Sequence, residues 1–374
     1  MKRLFYLLLC AGLIFSLCAC TENPSEGGED PVYIEKELHL CVGDTYDFSA
    51  MGYVLEDLEG TAVFAVGDVI TAAAEGTDHV IVTDIMKESC RFTVTVHKDA
   101  AALGEKFPID KGMFQGKKII AFGDSITDGC LLDPTKPNGL NYEDTYFAQL
   151  CAYLGASSDP TDLENCNFAC GGTTLTYGLN GGYGISGVER VNKGNSFTDG
   201  GRVRNPYPNI LDADLCVIFY GTNDLTAGAK AEANAADGLT DTPQAMQHAK
   251  TIRGGMYHMI TTLRKLNPKL KILVLPPLYR RADGTQLVYS ADKTDVIMAS
   301  TGQSLRQFGQ VIGQVAQDNG ARFIDWYGLF NYENFGRVDA TTYSYDGLHP
   351  NVEGHKKMFD FLVERLQMTA SEGK

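Results

Sequence analysis

Basic residues are scarce in this chain relative to acidic ones. Its 374 residues include 32 Lys and Arg against 47 Asp and Glu, so the formal net charge is −15 at pH 7. Binding to nucleic acid or to an anionic membrane surface needs clustered Lys and Arg, because those side chains neutralise phosphates. The composition therefore argues against a nucleic-acid partner.

The N-terminal apolar run is too short to span a bilayer comfortably. Lys2 and Arg3 precede Leu4–Leu17, whereas a membrane-spanning helix needs about 20 apolar residues. This arrangement is typical of a secretory signal. The run ends in Leu-Cys-Ala-Cys, which resembles the lipobox of bacterial lipoproteins and implies that Cys20 is freed by cleavage and acylated. An ordinary secretory signal with cysteines by chance is the alternative.

A polar segment follows the predicted lipid anchor. We assign residues 1–19 to the signal peptide and 20–30 to a flexible tether, since TENPSEGGED is acidic and rich in Gly and Pro. The acidic tether resembles the surface-export signals of some Gram-negative lipoproteins. These features predict an exported protein that is anchored in the cell envelope, at the outer membrane or the cell surface.

The cysteines beyond Cys20 do not form a recognisable disulfide or zinc framework. There are seven of them, an odd number, and no CxxC motif occurs among them: Cys41, Cys90, Cys130, Cys151, Cys166, Cys170 and Cys216. We expect most to be buried free thiols. A bridge between Cys41 and Cys90 is left open.

Residues 31–98 read as a small all-β domain. Short segments such as CRFTVTVHK alternate apolar and polar residues, and Gly-Asp pairs punctuate them. The segment resembles bacterial immunoglobulin-like modules, with a VGD turn after its first strand and a glycine-bounded stretch at Gly67–Gly76. This resemblance implies a β-sandwich that acts as a spacer or binds sugar.

The pattern changes after a linker at 99–116. From 117 to 370, near-continuous apolar strands alternate with longer amphipathic stretches, which indicates an α/β fold with a parallel sheet covered on both faces. The predicted strands lie in KKIIAFGD, ENCNFA, DLCVIFYG, LKILVLPP and ARFIDWYG. In such folds, functional sites form outside the carboxyl ends of the strands.

Polar residues suited to acyl transfer follow these strands. Ser125 comes after the first strand, Gly172 after the second and Asn223 after the third, while Asp346 and His349 precede the last helix. A serine hydroxyl needs a base such as imidazole, and the imidazole needs a carboxylate that fixes its tautomer. The tetrahedral intermediate needs hydrogen-bond donors, for which the candidates are the Ser125 N–H, the Gly172 N–H and the Asn223 amide.

Four motifs occur in the order that is typical of one enzyme family. The segments GDSITDG, NFACGGTT, GTND and DGLHP resemble the conserved blocks of SGNH/GDSL hydrolases, and the likeness extends over about 117–367. The resemblance implies a three-layer, flavodoxin-like domain with Ser125 as nucleophile, Gly172 and Asn223 as oxyanion donors, and Asp346 and His349 completing the triad. Gly171 is the alternative donor, although the spacing from Asn167 favours Gly172.

Several other residues have structural and functional interpretations. We expect Asp224 to bond backbone amides and Asp128 to stabilise a turn rather than act in catalysis. His355 suggests a metal site with Asp346, but a solvated side chain on the last helix is favoured. A Gly-x-Gly-x-x-Gly at Gly182–Gly187 follows no strand. The surrounding loop, 175–208, offers Tyr177, Tyr183 and Arg190 as substrate contacts or as structural residues.

These observations predict a lipid-anchored serine esterase that needs no metal or organic cofactor. Its substrate would be a small-molecule or glycan ester, with O-acetylated glycans favoured. The alternatives are a lysophospholipase or lipase, and a catalytically silent glycan-binding surface protein.

Overall fold

The computed structural model describes residues 32–49, 52–84, 87–104, 111–130, 135, 141–178, 186–192, 197–199, 202–232 and 250–367. The predicted signal peptide, the tether and Cys20 lie outside the described residues, as do Tyr183 and the Gly-x-Gly-x-x-Gly segment before Ser186. None of the helices in the described ranges has both the length and the apolar character to span a membrane.

The described residues of the N-terminal region form seven strands in two sheets. These strands are β1 Ile34–Cys41, β2 Thr45–Asp47, β3 Tyr53–Glu59, β4 Val63–Val66, β5 Val69–Ala72, β6 Gly76–Asp84 and β7 Ser89–His97. One sheet has the order β1-β7-β6-β3 and the other β2-β5-β4. Side chains of β7 alternate between buried and half-buried, as expected for strands with one face on a core. We call residues 34–97 the β module, and its immunoglobulin-like identity stays a prediction.

The rest of the described chain contains eight α-helices, two short helices of other types at Tyr327–Leu329 and Tyr332–Gly336, and eight further strands. The helices are α1 Ala100–Leu103, α2 Tyr146–Leu154, α3 Gly187–Arg190, α4 Tyr207–Asp212, α5 Thr222–Thr226, α6 Ile252–Leu266, α7 Leu305–Asp318 and α8 Val352–Gln367. The strands are β8 Ile119–Gly123, β9 Phe197–Asp199, β10 Arg202–Arg204, β11 Leu215–Phe219, β12 Lys271–Leu275, β13 Leu287–Tyr289, β14 Val296–Met298 and β15 Arg322–Phe323.

A parallel four-stranded sheet with the order β15-β12-β11-β8 forms the centre of this region. Every residue of β8, β11 and β12 is buried, because helices cover both faces of the sheet. The prediction of an α/β fold with a parallel sheet is confirmed. The apolar faces of α2, α6, α7 and α8 contribute to the same core.

One predicted strand is wrong. In ENCNFA, only Asn167 pairs with the sheet, through a single parallel bridge to Ala121. The Asn167 side chain explains the interruption: its Nδ2 donates to the Thr127 carbonyl at 3.1 Å, while its Oδ1 accepts from Ala169 N–H at 3.1 Å. The local bond from Ala169 N–H to Asn167 Oδ1 favours a turn over a regular strand, although Phe168 N–H still donates to the Ala121 carbonyl of β8.

The β module contacts the α/β region at the amino ends of the central strands. Lys271 begins β12, and its Nζ lies 2.6 Å from Asp44 Oδ2 in the β module. Met113 packs against the cores of both regions. Functional sites of parallel sheets form at the carboxyl ends of the strands, so the β module lies at the edge away from them.

Candidate active site

The residues selected from the sequence gather at the carboxyl edge of the central sheet. Ser125 follows the end of β8, and Asn223 lies in α5 directly after β11. Gly172 lies on the loop that follows the Asn167 bridge, and His349 precedes α8. Four segments that are distant in the sequence thus meet because parallel strands end at one edge.

Ser125, His349 and Asp346 form a continuous chain of hydrogen bonds. His349 Nε2 lies 2.9 Å from Ser125 Oγ, and His349 Nδ1 lies 2.6 Å from Asp346 Oδ2. The serine side chain is buried apart from a small opening, with 8% of the residue exposed. This geometry allows the imidazole to take the serine proton while the carboxylate holds the opposite ring nitrogen.

Asp346 is held as an anion by the turn that carries it. Burial alone would raise the pKa of Asp346, but the hydrogen bond and charge of His349 and the backbone amides outweigh it and place the pKa well below its ordinary value. Asp346 Oδ1 accepts from the N–H groups of Leu348 and His349, both at 2.8 Å. Gly347 allows this turn with a positive φ of 77°.

The glycine loop presents one N–H that has no partner among the described residues. Gly171 N–H donates to Asp128 Oδ2 at 3.2 Å, so this donor is already used. Gly172, with φ of 74°, has no corresponding hydrogen bond within the described part of the chain. Of the two glycines, Gly172 therefore has the N–H that can donate to a substrate oxygen.

Asn223 is oriented by one of its two amide hydrogens. Its Nδ2 donates to the Thr173 carbonyl at 3.0 Å, on the loop that carries Gly172. The side chain is half-buried, so its second N–H remains available to a ligand. Gly172 and Asn223 are joined through Thr173, and a movement of one would disturb the other.

Two buried aspartates accept hydrogen bonds from backbone N–H groups of the loops at the site. Asp224 accepts hydrogen bonds from Leu175 N–H at 2.8 Å and Thr176 N–H at 3.0 Å, so its predicted role in bonding backbone amides is confirmed. Burial raises the pKa of Asp224 despite these bonds. Asp124 accepts from Ile126 N–H at 3.0 Å, and burial raises the pKa of Asp124 to about 7.

Arg280 is a site residue that the sequence analysis missed. Its Nη1 donates to the Thr222 carbonyl at 3.5 Å, next to Asn223. Burial lowers the pKa of Arg280, whereas the charge of Asp346 acts in the opposite direction. Arg280 follows β12 in the segment LVLPPLYRR, so the strand-end rule applied to this strand would have selected it.

The prediction of a solvated His355 is wrong, and for Arg190 the structure supports the structural one of its two interpretations. His355 is fully buried instead of solvated, and its Nδ1 accepts from Tyr146 N–H at 3.0 Å, which leaves no support for metal binding through that nitrogen. Arg190 is also buried, with Nη1 donating to the Phe168 carbonyl at 2.8 Å, so it supports the chain instead of meeting a substrate. All seven described cysteines are free thiols, including Cys41 and Cys90.

Comparisons with known proteins place this arrangement in a family. Residues 121–357 match the model of the GDSL-like Lipase/Acylhydrolase family. No curated protein matches the chain. Among solved structures, similar ones include a protein from Lactobacillus plantarum with 19% identity and a TM-score of 0.46, covering 67% of this chain and 97% of that one. A possible lipase from Chitinophaga pinensis has 19% identity and a TM-score of 0.39, covering 67% and 99%.

A third similar structure also extends over the N-terminal region. It is a family two carbohydrate esterase from Clostridium thermocellum in complex with cellohexaose, with 16% identity and a TM-score of 0.42, and the match covers 87% of this chain and 89% of that one. The family match extends over more than half of the chain and includes the segments of Ser125, Gly172, Asn223, Asp346 and His349. The chain therefore belongs to the GDSL-like lipase/acylhydrolase family of ester hydrolases.

Proposed function

We propose that this protein hydrolyses acyl esters with Ser125 as nucleophile, His349 as general base and Asp346 as the carboxylate of the triad. The observation that carries the proposal is the unbroken chain of hydrogen bonds from Ser125 Oγ through the imidazole to Asp346 Oδ2, at 2.9 Å and 2.6 Å. Asp346 stays ionised, so it fixes the ring and stabilises the imidazolium that forms.

The reaction follows two acyl-transfer steps. Ser125 Oγ attacks the ester carbonyl while its proton moves to His349 Nε2, and the alcohol leaves with that proton. His349 then takes a proton from water, whose oxygen attacks the acyl-enzyme; the bond to Ser125 Oγ breaks, that oxygen takes the proton back from His349, and the carboxylic acid leaves. The alcohol leaves before water reacts, which makes the mechanism ping-pong.

The oxyanion of each tetrahedral intermediate would bind to Gly172 N–H and Asn223 Nδ2, with Ser125 N–H as a third donor. Gly172 N–H has no partner within the described residues, and the bond to the Thr173 carbonyl uses one of the two amide hydrogens of Asn223. Fixed donors of this kind stabilise developing charge without reorganisation.

We propose acetyl esters of carbohydrates as the substrate class. A cavity of about 300 Å³ opens beside the residues that follow β12 and β15, at the same edge of the sheet as Ser125. Its wall includes Tyr279, Tyr327, Tyr332, Lys293 and Asn331. Aromatic rings next to donors and acceptors suit a hydroxyl-rich alcohol better than a long acyl chain.

The cavity is joined to the triad through the backbone. Arg281 N–H donates to the Gly347 carbonyl at 2.6 Å, between Asp346 and His349. Arg281 Nη2 donates to the Arg337 carbonyl at 2.8 Å, near the end of the segment that lines the cavity. Arg281 therefore links the turn that carries the triad to the segment beside the cavity.

We also propose that the protein is exported and anchored in the cell envelope. Lys2, Arg3 and the apolar run before Cys20 favour an exported, lipid-anchored protein of the cell envelope, and the strand pattern favours an immunoglobulin-like spacer. Metabolic labelling with a fatty-acid analogue tests the anchor: label should be incorporated by the parent and lost in Cys20→Ala.

Hydrolysis of p-nitrophenyl esters by residues 31–374 tests the catalytic proposal. The parent should hydrolyse the acetate ester, and Ser125→Ala should lose at least about 10³-fold in kcat while unfolding at the same temperature. A preference for octanoate over acetate would favour a lipase or lysophospholipase. No hydrolysis of any chain length would favour the catalytically silent glycan-binding protein.

A further inference from the structure

Asp128 joins the turn that carries Ser125 to the loop that carries Gly172. Its side chain is buried, and its Oδ2 accepts a hydrogen bond from Gly171 N–H at 3.2 Å. The same oxygen accepts from the Cys130 thiol at 3.6 Å. One carboxylate oxygen therefore connects the two segments that must stay aligned for acyl transfer.

The glycine that Asp128 holds packs directly against the nucleophile. A Cβ atom at Gly171 would lie 3.7 Å from Ser125 Cβ and 3.3 Å from Cys130 Sγ. The bond to Asp128 fixes the peptide plane between Cys170 and Gly171. Since adjacent peptide planes share the Gly171 Cα atom, this bond also restricts where the next N–H, that of Gly172, can point.

We propose that Asp128 is a positioning residue for the oxyanion hole. Its carboxylate acts as a hydrogen-bond acceptor that turns the glycine loop so that Gly172 N–H faces the substrate oxygen. It does not serve as an acid or base, because His349 already accepts from Ser125 Oγ. The inference rests on the proposed ester hydrolysis and on Gly172 as a donor.

The proposal predicts opposite results for two substitutions. Asp128→Asn keeps a side-chain oxygen that can accept from Gly171 N–H, and it removes a negative charge near the developing oxyanion. Asp128→Ala removes the acceptor. A misplaced donor costs up to about 10²-fold in rate, so the alanine variant should lose about 10- to 100-fold in kcat.

The fold should survive the alanine substitution because other hydrogen bonds join the same segments. Asn167 Nδ2 donates to the Thr127 carbonyl at 3.1 Å, and Cys170 N–H donates to the Gly123 carbonyl at 3.1 Å. Thr173 Oγ1 also donates to the Gly123 carbonyl, at 3.2 Å. Loss of the Asp128 bond therefore leaves the loop attached but less well aligned.

The experiment compares kcat, KM and inhibitor affinity with p-nitrophenyl acetate. Phenylboronic acid is the second probe, since its boron accepts Ser125 Oγ to give a tetrahedral anion that imitates the intermediate. Asp128→Ala should lower kcat with KM changed by less than about threefold, and it should weaken inhibition by the same factor as kcat. Asp128→Asn should keep kcat and inhibition within about threefold of the parent.

The matched control is Asp159→Ala. Asp159 Oδ1 also accepts hydrogen bonds in a turn, from Thr161 N–H at 2.9 Å and Thr161 Oγ1 at 2.7 Å. Unlike Asp128, Asp159 is exposed, and it follows the segment that hydrogen-bonds the chain just before β8. This variant should not change kcat. If Asp128→Ala fails to fold, Asp128→Ser replaces it, because the serine side chain is too short for its oxygen to reach Gly171 N–H.

The outcomes separate this inference from the proposed function. An inactive parent would defeat the ester-hydrolase proposal itself. With an active parent, an unchanged kcat in Asp128→Ala would overturn the inference. An Asp128→Asn variant whose kcat is as low as that of Asp128→Ala would also overturn it, because the charge or a proton of Asp128 would then be what matters. A lower melting temperature with unchanged kcat would show a purely structural role and would also overturn it.

Discussion

His349 Nε2 lies 2.9 Å from Ser125 Oγ although 224 residues separate them in the chain. The parallel sheet creates this proximity, because Ser125 follows β8 at the carboxyl edge and the His349 turn reaches the same edge before α8. The contact depends on the position of the imidazole, which Asp346 controls from the opposite side of the ring.

Asp346→Asn should therefore lower kcat strongly while it preserves the fold. An amide donor at this position favours the wrong imidazole tautomer, and in a serine triad such a change costs about 10⁴-fold. The measurement is kcat with p-nitrophenyl acetate. Asp339→Asn is the control, because Asp339 is an exposed carboxylate whose partner is Arg337. Equal activity of the parent and Asp346→Asn would remove Asp346 from the triad.

Asn223→Ala tests the oxyanion site separately from the triad. The side chain donates to the Thr173 carbonyl at 3.0 Å and has a second amide hydrogen for the substrate oxygen. Its loss should lower kcat by about 10²–10³-fold with little change in KM, because the contact strengthens in the transition state. Thr226→Ala serves as the control, since Thr226 Oγ1 donates to the backbone carbonyl of Asn223 and not to its side chain. An effect confined to KM would instead indicate ground-state binding.

Much of this site could be predicted because its residues obey local rules. Continuous apolar segments identified β8, β11 and β12, and the strand-end rule then selected Ser125 and Asn223. The strand at ENCNFA was predicted wrongly because hydrophobicity does not reveal that the Asn167 side chain bonds nearby backbone groups. The immunoglobulin-like identity of the β module stays a prediction.

Contacts between distant segments could not be predicted from local patterns. The bond between Gly171 and Asp128 depends on how two loops pack, and the burial of His355 depends on Tyr146, 209 residues earlier in the chain. A histidine on an amphipathic helix has the same sequence pattern whether α2 covers it or solvent does. Only tertiary packing distinguishes these cases.

The buried His355 should make the α/β region sensitive to acid. Burial, together with the nearby charge of His349, lowers the pKa of His355 to about 3, whereas an unfolded histidine titrates near about 6.5. Below pH 6.5 the unfolded chain binds a proton that the folded chain does not. As the pH is lowered from about 6.5 to 3, the free energy of unfolding should therefore decrease, by up to about 1.4 kcal/mol per pH unit from this group.

Comparison with His355→Asn isolates that contribution. Asparagine retains an acceptor for Tyr146 N–H but does not titrate, so its stability should fall less steeply between about pH 6 and 4. Urea unfolding can be followed by the fluorescence of Trp326, the single tryptophan, which is buried 5.3 Å from the Tyr146 ring. If the free energy of unfolding depends on pH in the same way in both proteins, the pKa of His355 is not lowered by burial.

The ion pair between Lys271 and Asp44 should stabilise the chain without affecting catalysis. Asp44→Ala would leave the Lys271 ammonium buried without its carboxylate partner, and breaking a buried pair costs about 3–5 kcal/mol. The double variant Asp44→Ala with Lys271→Met should recover most of that loss, because no unpaired charge remains. Both variants should retain the parent kcat at temperatures where they are folded, since the pair lies at the amino ends of the strands. If kcat fell in the folded Asp44→Ala protein and recovered in the double variant, the β module would influence the catalytic edge through this contact and could not be a passive spacer.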